Sequence, residues 1–166
     1  SEVASNFSKE LSKDIKITRI ESETIKQWNT GWKPINPRKK PDGGWDWALL
    51  REQYYFKKCR YAPQRRIDIA IWERETQQLC GLALGEVEKN RSFLTIDYVE
   101  GAPTNHPLKG HVLDLVLTIV KRYAIVLNIH ELRLNDPVDG LIRHYESLGF
   151  QTKRDGKQTF CFQRLT

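Results

Sequence analysis

Two periods of apolar spacing run along this chain, and the places where one gives way to the other mark its elements. Ile15–Ile20 alternates apolar and polar and predicts a short strand. Glu21–Trp28 follows as a short helix with Ser22 as its N-cap. From Asn29 to Gly44 the pattern stops in a basic loop rich in Pro and Gly. Ordinary connections run to roughly 4–6 residues, so a loop of about 16 is of the length that functional or mobile segments have. Trp45–Lys58 returns to helical spacing, with apolar Trp47, Leu50 and Tyr54. Three alternating runs then follow closely: Ile67–Trp72, Gln78–Val87 and Phe93–Val99. Separated by polar turns, they predict an antiparallel meander.

After the loop Gly101–Lys109 the spacing becomes helical from Gly110 to about Leu127. Val112, Val116, Ile119 and Tyr123 form one stripe; Leu113, Leu117, Val120 and Ala124 form another. A helix apolar on two sides is expected to be well buried. Glu131–Leu134 predicts a strand, and Leu141–Leu148 a short helix stopped by Gly149 and Phe150. Phe150–Lys153 and Thr159–Arg164 flank an Asp155–Gly156 turn and predict a hairpin. The order β-α-α-β-β-β-α-β-α-β-β indicates an α/β (α+β) class: a mixed, mostly antiparallel twisted sheet with helices packed on both faces. One domain over residues 1–166 is expected, with 1–13 as a flexible tail.

Composition narrows the function classes. Apolar residues at 39% and charged residues at 29% fit a soluble globular protein. No apolar run approaches the roughly 18 to 20 residues of a membrane span. The polar start, SEVASNFSKELSKDIK, lacks a secretory pattern, so a cytoplasmic location is expected. Cys59, Cys80 and Cys161 have neither CxxC nor metal-ligand spacing and are expected to be buried thiols. His106, His111, His130 and His144 are scattered, and no metal site is expected. The net charge of +6 is uneven, since residues 33–66 hold ten Lys or Arg against three acids. Such a segment attracts nucleic acid, a phosphate-rich cofactor or an acidic protein, or is a solvated basic surface. Its aromatics, Trp45, Trp47, Tyr54, Tyr55 and Phe56, either stack bases or, as helical spacing favours, pack a core.

The segment richest in chemistry is ELRLNDPVDGLIRHYESLGF, residues 131–150. It leads a strand into a helix that presents Tyr145 one turn before its stop. A phenol there can protonate a departing thiolate, because both groups have pKa values well above 7. This stretch resembles the C-terminal motif of the GNAT acetyltransferase superfamily, roughly A-x-x-F/L-Y-E-x-x-G-F. Leu141 stands at the alanine position, and Tyr145, Glu146, Leu148, Gly149 and Phe150 match. The element order matches over most of the chain.

The resemblance implies an acyl-CoA-dependent N-acyltransferase that moves acetyl from acetyl-CoA to a primary amine by direct attack, with Tyr145 as the general acid. It places coenzyme A against Tyr98, Val99, Asn135 and the segment Lys109, Gly110, His111 and Val112. That segment answers the family's Gln/Arg-x-x-Gly-x-Gly/Ala pyrophosphate loop, with Pro107 and Val112 departing from it. Lys109 and His111 add positive charge at the helix start. A carboxylate is required to take the amine proton, directly or through water. Glu100 is the first candidate, ahead of Asp97 and Glu86. The variable substrate loop of the family falls on the basic segment, so Trp32, Arg38 and Trp45 are candidate substrate contacts. The segment's charge favours an anionic acceptor, such as charged tRNA or an acidic protein, over a cationic polyamine; a small metabolite stays open. The competing readings are a catalytically inactive module that binds nucleic acid or a protein through residues 33–66, and a structural domain. Monomer and homodimer are both compatible with the sequence.

Overall fold

A computed structural model describes residues 14–35 and 44–165. The strands are β1 (Ile15–Thr18), β2 (Arg66–Glu73), β3 (Leu79–Val87), β4 (Leu94–Gly101), β5 (Glu131–Asn135), β6 (Gln151–Asp155) and β7 (Gln158–Arg164). The helices are α1 (Ser22–Gly31), α2 (Trp47–Gln53), α3 (Val112–Val126) and α4 (Asp139–Ser147). They follow one another in the predicted order. All seven strands form one sheet, ordered β1-β2-β3-β4-β5-β7-β6. Every pairing is antiparallel except β4 with β5, which α3 connects as a parallel crossover.

Strand alternation sends side chains to two cores. Ile67, Ile69 and Ile71 of β2 join Val116 and Val120 of α3 and Phe150 behind α4. Ala70 and Trp72 of the same strand join Trp28, Trp32, Trp47, Leu50 and Tyr54 on the opposite face. Helices therefore cover both faces, as the pattern predicts.

Three details differ from the pattern. The cap of α1 is Glu21, one residue before Ser22: its backbone N–H donates to Thr24 Oγ1 at 3.0 Å, and the helix runs on to Gly31. The predicted helix Trp45–Lys58 starts at Trp47, capped by Asp46, whose carboxylate accepts the Leu49 N–H at 3.1 Å. It then widens into a π-helical turn over Tyr54–Lys58, a feature that tends to occur at functional positions. The third concerns α3, which buries one face only. Val112, Val116, Leu117, Val120 and Ala124 are buried, while Tyr123, Ile125 and Val126 are exposed at its end. Among the described residues no helix is long and apolar enough to cross a membrane.

Candidate active site

A single inserted residue shapes the centre of the sheet. In the β3–β4 ladder Leu84 pairs with Tyr98 and Gly85 with Ile96, so Asp97 has no partner and bulges. The insertion flips the strand's phase. Leu94 and Ile96 face α3 before it, and Val99 does so after it. Asp97 and Tyr98 consequently both line the cleft on the other face. Gly85 makes the bulge possible: a Cβ there would lie 2.0 Å from the Thr95 carbonyl oxygen.

At the same level the sheet opens. The parallel ladder ends at the pair Ile96–Leu134, while β4 continues to Gly101. β5 stops at Asn135, and Asp136 turns away with a φ of 44°. The edge of β4 that faces β5 is thus unpaired from Asp97 onward. A cleft of about 410 Å³ lies there, walled by Trp45, Lys58, Asp97, Tyr98, Asn135 and Phe160 among others. Trp45 stands edge-on to Tyr98, with ring centroids 5.6 Å apart.

Asp97 is the hub of the polar contacts in this cleft. Tyr54, from the π turn, donates its hydroxyl proton to Oδ2. Asn135 Nδ2 donates to Oδ1 at 2.6 Å, and Lys58 Nζ lies 3.9 Å from Oδ2. The turn thereby delivers two side chains to one carboxylate; Lys58 Nζ also sits 4.8 Å over the Tyr54 ring. Burial and the adjacent carboxylate push the Tyr54 phenol far above its ordinary range, so it stays a donor. Each Asp97 oxygen keeps a second lone pair for a further donor.

Glu100 has another task. Its Oε2 accepts N–H bonds from Gly44 at 3.0 Å, Trp45 at 3.3 Å and Trp47 Nε1 at 3.0 Å. Its Oε1 is buried with no hydrogen-bond partner. The side chain pins the chain entering α2 and does not line the cleft. Burial raises its carboxyl pKa against the pull of those three donors. A pKa raised on folding adds stability at low pH that is lost as pH rises through the folded value. Glu100→Gln is therefore expected to gain stability relative to the parent protein between about pH 4 and neutrality. Urea unfolding of both proteins at the two pH values checks this, and a pH-independent difference would refute it.

The other sequence candidates are distributed as follows. Tyr145 lies on the α3 face, 8% exposed, with its ring edge-on to Phe150 at 6.2 Å. Burial pushes its phenol upward. Trp32 is a core residue, with Nε1 donating to the Leu79 carbonyl at 3.2 Å. Arg38 lies outside the described residues. Glu86 pairs with Arg65 at 3.6 Å and lines an adjoining pocket that shares Asn135, Gln158 and Phe160 with the Asp97 cleft.

Lys109 and Gly110 are exposed at the turn before α3, and Gly110 has a φ of 83° with open space around it. Val112 turns inward: a Cβ on Gly81 would meet its Cγ1 at 2.6 Å, and one on Gly101 its Cγ2 at 3.5 Å. Its bulk is thus received by the sheet and leaves the outer side of the turn clear. The three cysteines are buried and unpaired, and burial raises each thiol's pKa, opposite to what a nucleophilic thiolate needs.

The basic segment is not one patch. Arg51 donates to the Ile20 carbonyl at 2.7 Å, Arg65 to the Val87 carbonyl at 2.8 Å, and Arg66 stacks on Tyr55. Phe56, Lys57, Arg60 and Tyr61 remain outside, with Tyr61 88% exposed.

No protein-family model and no curated protein sequence matches the chain. Solved structures do match its shape. A protein from Klebsiella pneumoniae, proposed to be an acyl-CoA N-acyltransferase, superposes with a TM-score of 0.60 at 19% identity, covering 92% of this chain and 98% of that one. The spermidine N-acetyltransferase of Vibrio cholerae, solved with CoA and spermine, gives 0.61 at 15% identity over 92% and 96%. An acetyltransferase assigned to the GNAT family from Desulfovibrio desulfuricans gives 0.62 at 12% identity over 91% and 98%. The chain has the GNAT fold.

Proposed function

We propose that this chain is an acyl-CoA-dependent N-acyltransferase that moves acetyl from acetyl-CoA to a primary amine by direct attack. The observation that carries the reading is the opened β4–β5 seam, with Tyr145 on one face of the sheet and the Asp97 cleft on the other.

The residues present fit coenzyme A. The first N–H groups of α3 are free of helical partners, as at any helix start, and offer donors to phosphate oxygens. Gly110 allows a close approach, Lys109 adds charge, and Val112, turned into the sheet, does not block the turn. The His111 N–H is held by the Leu108 carbonyl at 2.9 Å, so Val112 and the residues after it would contribute the backbone donors. The free edge at Tyr98 and Val99 would pair with the pantetheine arm, and Asn135 would border it. When bound, acetyl-CoA supplies the thioester acyl group.

The side chains then have separable tasks. Asp97, rather than Glu100, takes the amine proton, directly or through water, because Asp97 lines the cleft and Glu100 does not. Tyr54 and Asn135 hold that carboxylate in place. A backbone N–H on the unpaired part of β4 stabilises the oxyanion. Tyr145, kept protonated by burial, gives its proton to the leaving thiolate. Trp45, Tyr98 and Phe160 form apolar walls for the acceptor, and Asp97 and Asp136 give the cleft more acid than base. That balance suits an ammonium-bearing acceptor, in line with the amine named for the Vibrio cholerae protein. It replaces the anionic acceptor that the summed charge of residues 33–66 suggested.

A second reading rests on the exposed group Phe56, Lys57, Arg60 and Tyr61, which suits an anionic macromolecule at the mouth of the π turn. Under it, nucleic-acid affinity falls steeply with salt and acetyl-CoA does not bind.

Calorimetric titration with acetyl-CoA tests the first reading. Micromolar binding is expected, weakened at least tenfold by Gly110→Glu, which puts a carboxylate at the helix start. Gly110→Ala carries the same positive-φ strain without the charge and is expected to bind nearly as well. Absence of binding by the parent protein would overturn the assignment. Release of free thiol with a panel of primary amines then identifies the acceptor.

A further inference from the structure

β1 covers only part of the β2 edge. Its pairs run from Ala70 to Glu73, so among the described residues Arg66–Ile69 has β3 on one side and no paired strand on the other. Beside this open stretch lies a cavity of about 470 Å³, which shares no lining residue with the Asp97 cleft. Its floor is aliphatic, built from Ile67 and Ile69 of β2 and Ile119 and Val120 of α3. Its mouth carries Arg19, Arg66 and Tyr123.

The two guanidiniums share a single carboxylate. Arg19 donates Nε and one terminal nitrogen to Asp68 Oδ1, at 3.2 and 3.1 Å. Arg66 Nε points to the same oxygen at 3.4 Å. The other oxygen, Oδ2, is occupied by the Ile20 N–H at 2.9 Å and the Tyr55 hydroxyl at 2.6 Å. One positive charge is left over. It is best placed on Arg66, whose side chain is only 8% exposed and whose guanidinium carbon lies 3.3 Å from the Tyr55 ring centroid. Stacking covers a face of the guanidinium but leaves its in-plane N–H groups free. Among the described residues no acceptor is hydrogen-bonded to its terminal nitrogens. Those nitrogens are not among the buried atoms left without a partner, so they reach the cavity mouth, where an anion can take the place of water and make charge-assisted bonds.

A cationic mouth over an uncharged isoleucine floor selects for one negative charge joined to a hydrocarbon. A polyanion would lose hydration on the floor, and a neutral chain would leave the guanidinium donors unmet. We propose that this cavity is a second ligand site that binds an apolar monocarboxylate. The carboxylate sits on Arg66 beside Arg19, and the chain lies on Ile67, Ile69, Ile119 and Val120. The size is within the range of small-molecule sites.

The test titrates the full chain at fixed ionic strength with octanoate, 1-octanol and acetate, following backbone amide shifts. Octanoate is expected to bind at least tenfold more tightly than either of the others and to shift amides of β2 and α3. Arg66→Gln removes the free donors, and Ile119→Glu places a carboxylate on the floor. Each is expected to weaken octanoate at least tenfold, the scale of one charge-assisted contact. The second variant lies on a partly buried helix position and does not touch the Asp68 cluster, so the test survives if the first fails to fold. Equal binding of octanol would mean a merely apolar cavity, and equal binding of acetate a simple anion site. Either result overturns the proposal, as does octanoate that fails to bind or that ignores both substitutions.

Discussion

Tyr145→Phe is expected to lower turnover with acetyl-CoA by about 10²-fold or more, the usual contribution of a positioned proton donor. Acetyl-CoA affinity and stability should hardly change. The reason is the surroundings of the ring. It packs edge-on against Phe150 within the α3 core, and phenylalanine preserves that contact. No described residue hydrogen-bonds its hydroxyl, so removing the oxygen orphans no partner. The variant therefore separates chemistry from folding unusually well. Steady-state rates of thiol release, set beside calorimetric affinity, provide the measurement. Unchanged turnover would assign the leaving-group proton to water and strip Tyr145 of its role.

The largest loss of stability from a single methyl group is expected at Gly85. A Cβ there would approach the Thr95 carbonyl oxygen to 2.0 Å and Ile96 Cα to 3.0 Å, both backbone atoms that cannot swing aside. Gly85→Ala must push β3 from β4 next to the bulge. Overpacking of this kind costs about 1–3 kcal/mol, sometimes more. For a chain of this size, each kcal/mol lowers the melting temperature by roughly 2–4 °C, so a fall of about 2–12 °C is expected. Activity should drop further than stability, because the displaced strand carries Asp97. Gly140→Ala is the control. Its site in α4 is open, its φ is ordinary, and a gain of a few tenths of a kcal/mol is expected. Thermal melts of the two variants decide the matter. A Gly85→Ala protein as stable as its parent would mean that the bulge is not held as described.

The order of elements was legible because period-two and period-3.6 spacing are strong signals in this chain, and each turn carries its own residues. Ile67–Trp72 and Asp155–Gly156 are examples: one alternates strictly, and the other closes the β6–β7 hairpin. The site was less legible. The sequence offers Glu100, Asp97 and Glu86 as carboxylates but does not say which line the cleft, because a strand's phase is what the bulge changes. A trace of that change is in the sequence, where apolar positions shift from Leu94 and Ile96 to Val99 across Asp97. The π turn left no comparable mark, since Tyr54 and Lys58 are also one helical turn apart. Summed charge also counts Arg51, Arg65 and Arg66 as free, whereas carbonyls, aromatic rings and Asp68 hold them.

The seating of Val112 against Gly81 and Gly101 has a consequence for how the start of α3 can vary. A small residue at the helix start leaves room for a larger one on the strand beneath; Val112 demands glycine at position 81 and leaves only ordinary contact at position 101. Positions 81 and 112 form a single allotment of volume, shared between helix and sheet. Bulk can move from one side to the other, but it cannot be added to both. A larger residue can therefore stand at the start of this helix without altering the backbone of the turn, provided the exchange is made one layer down.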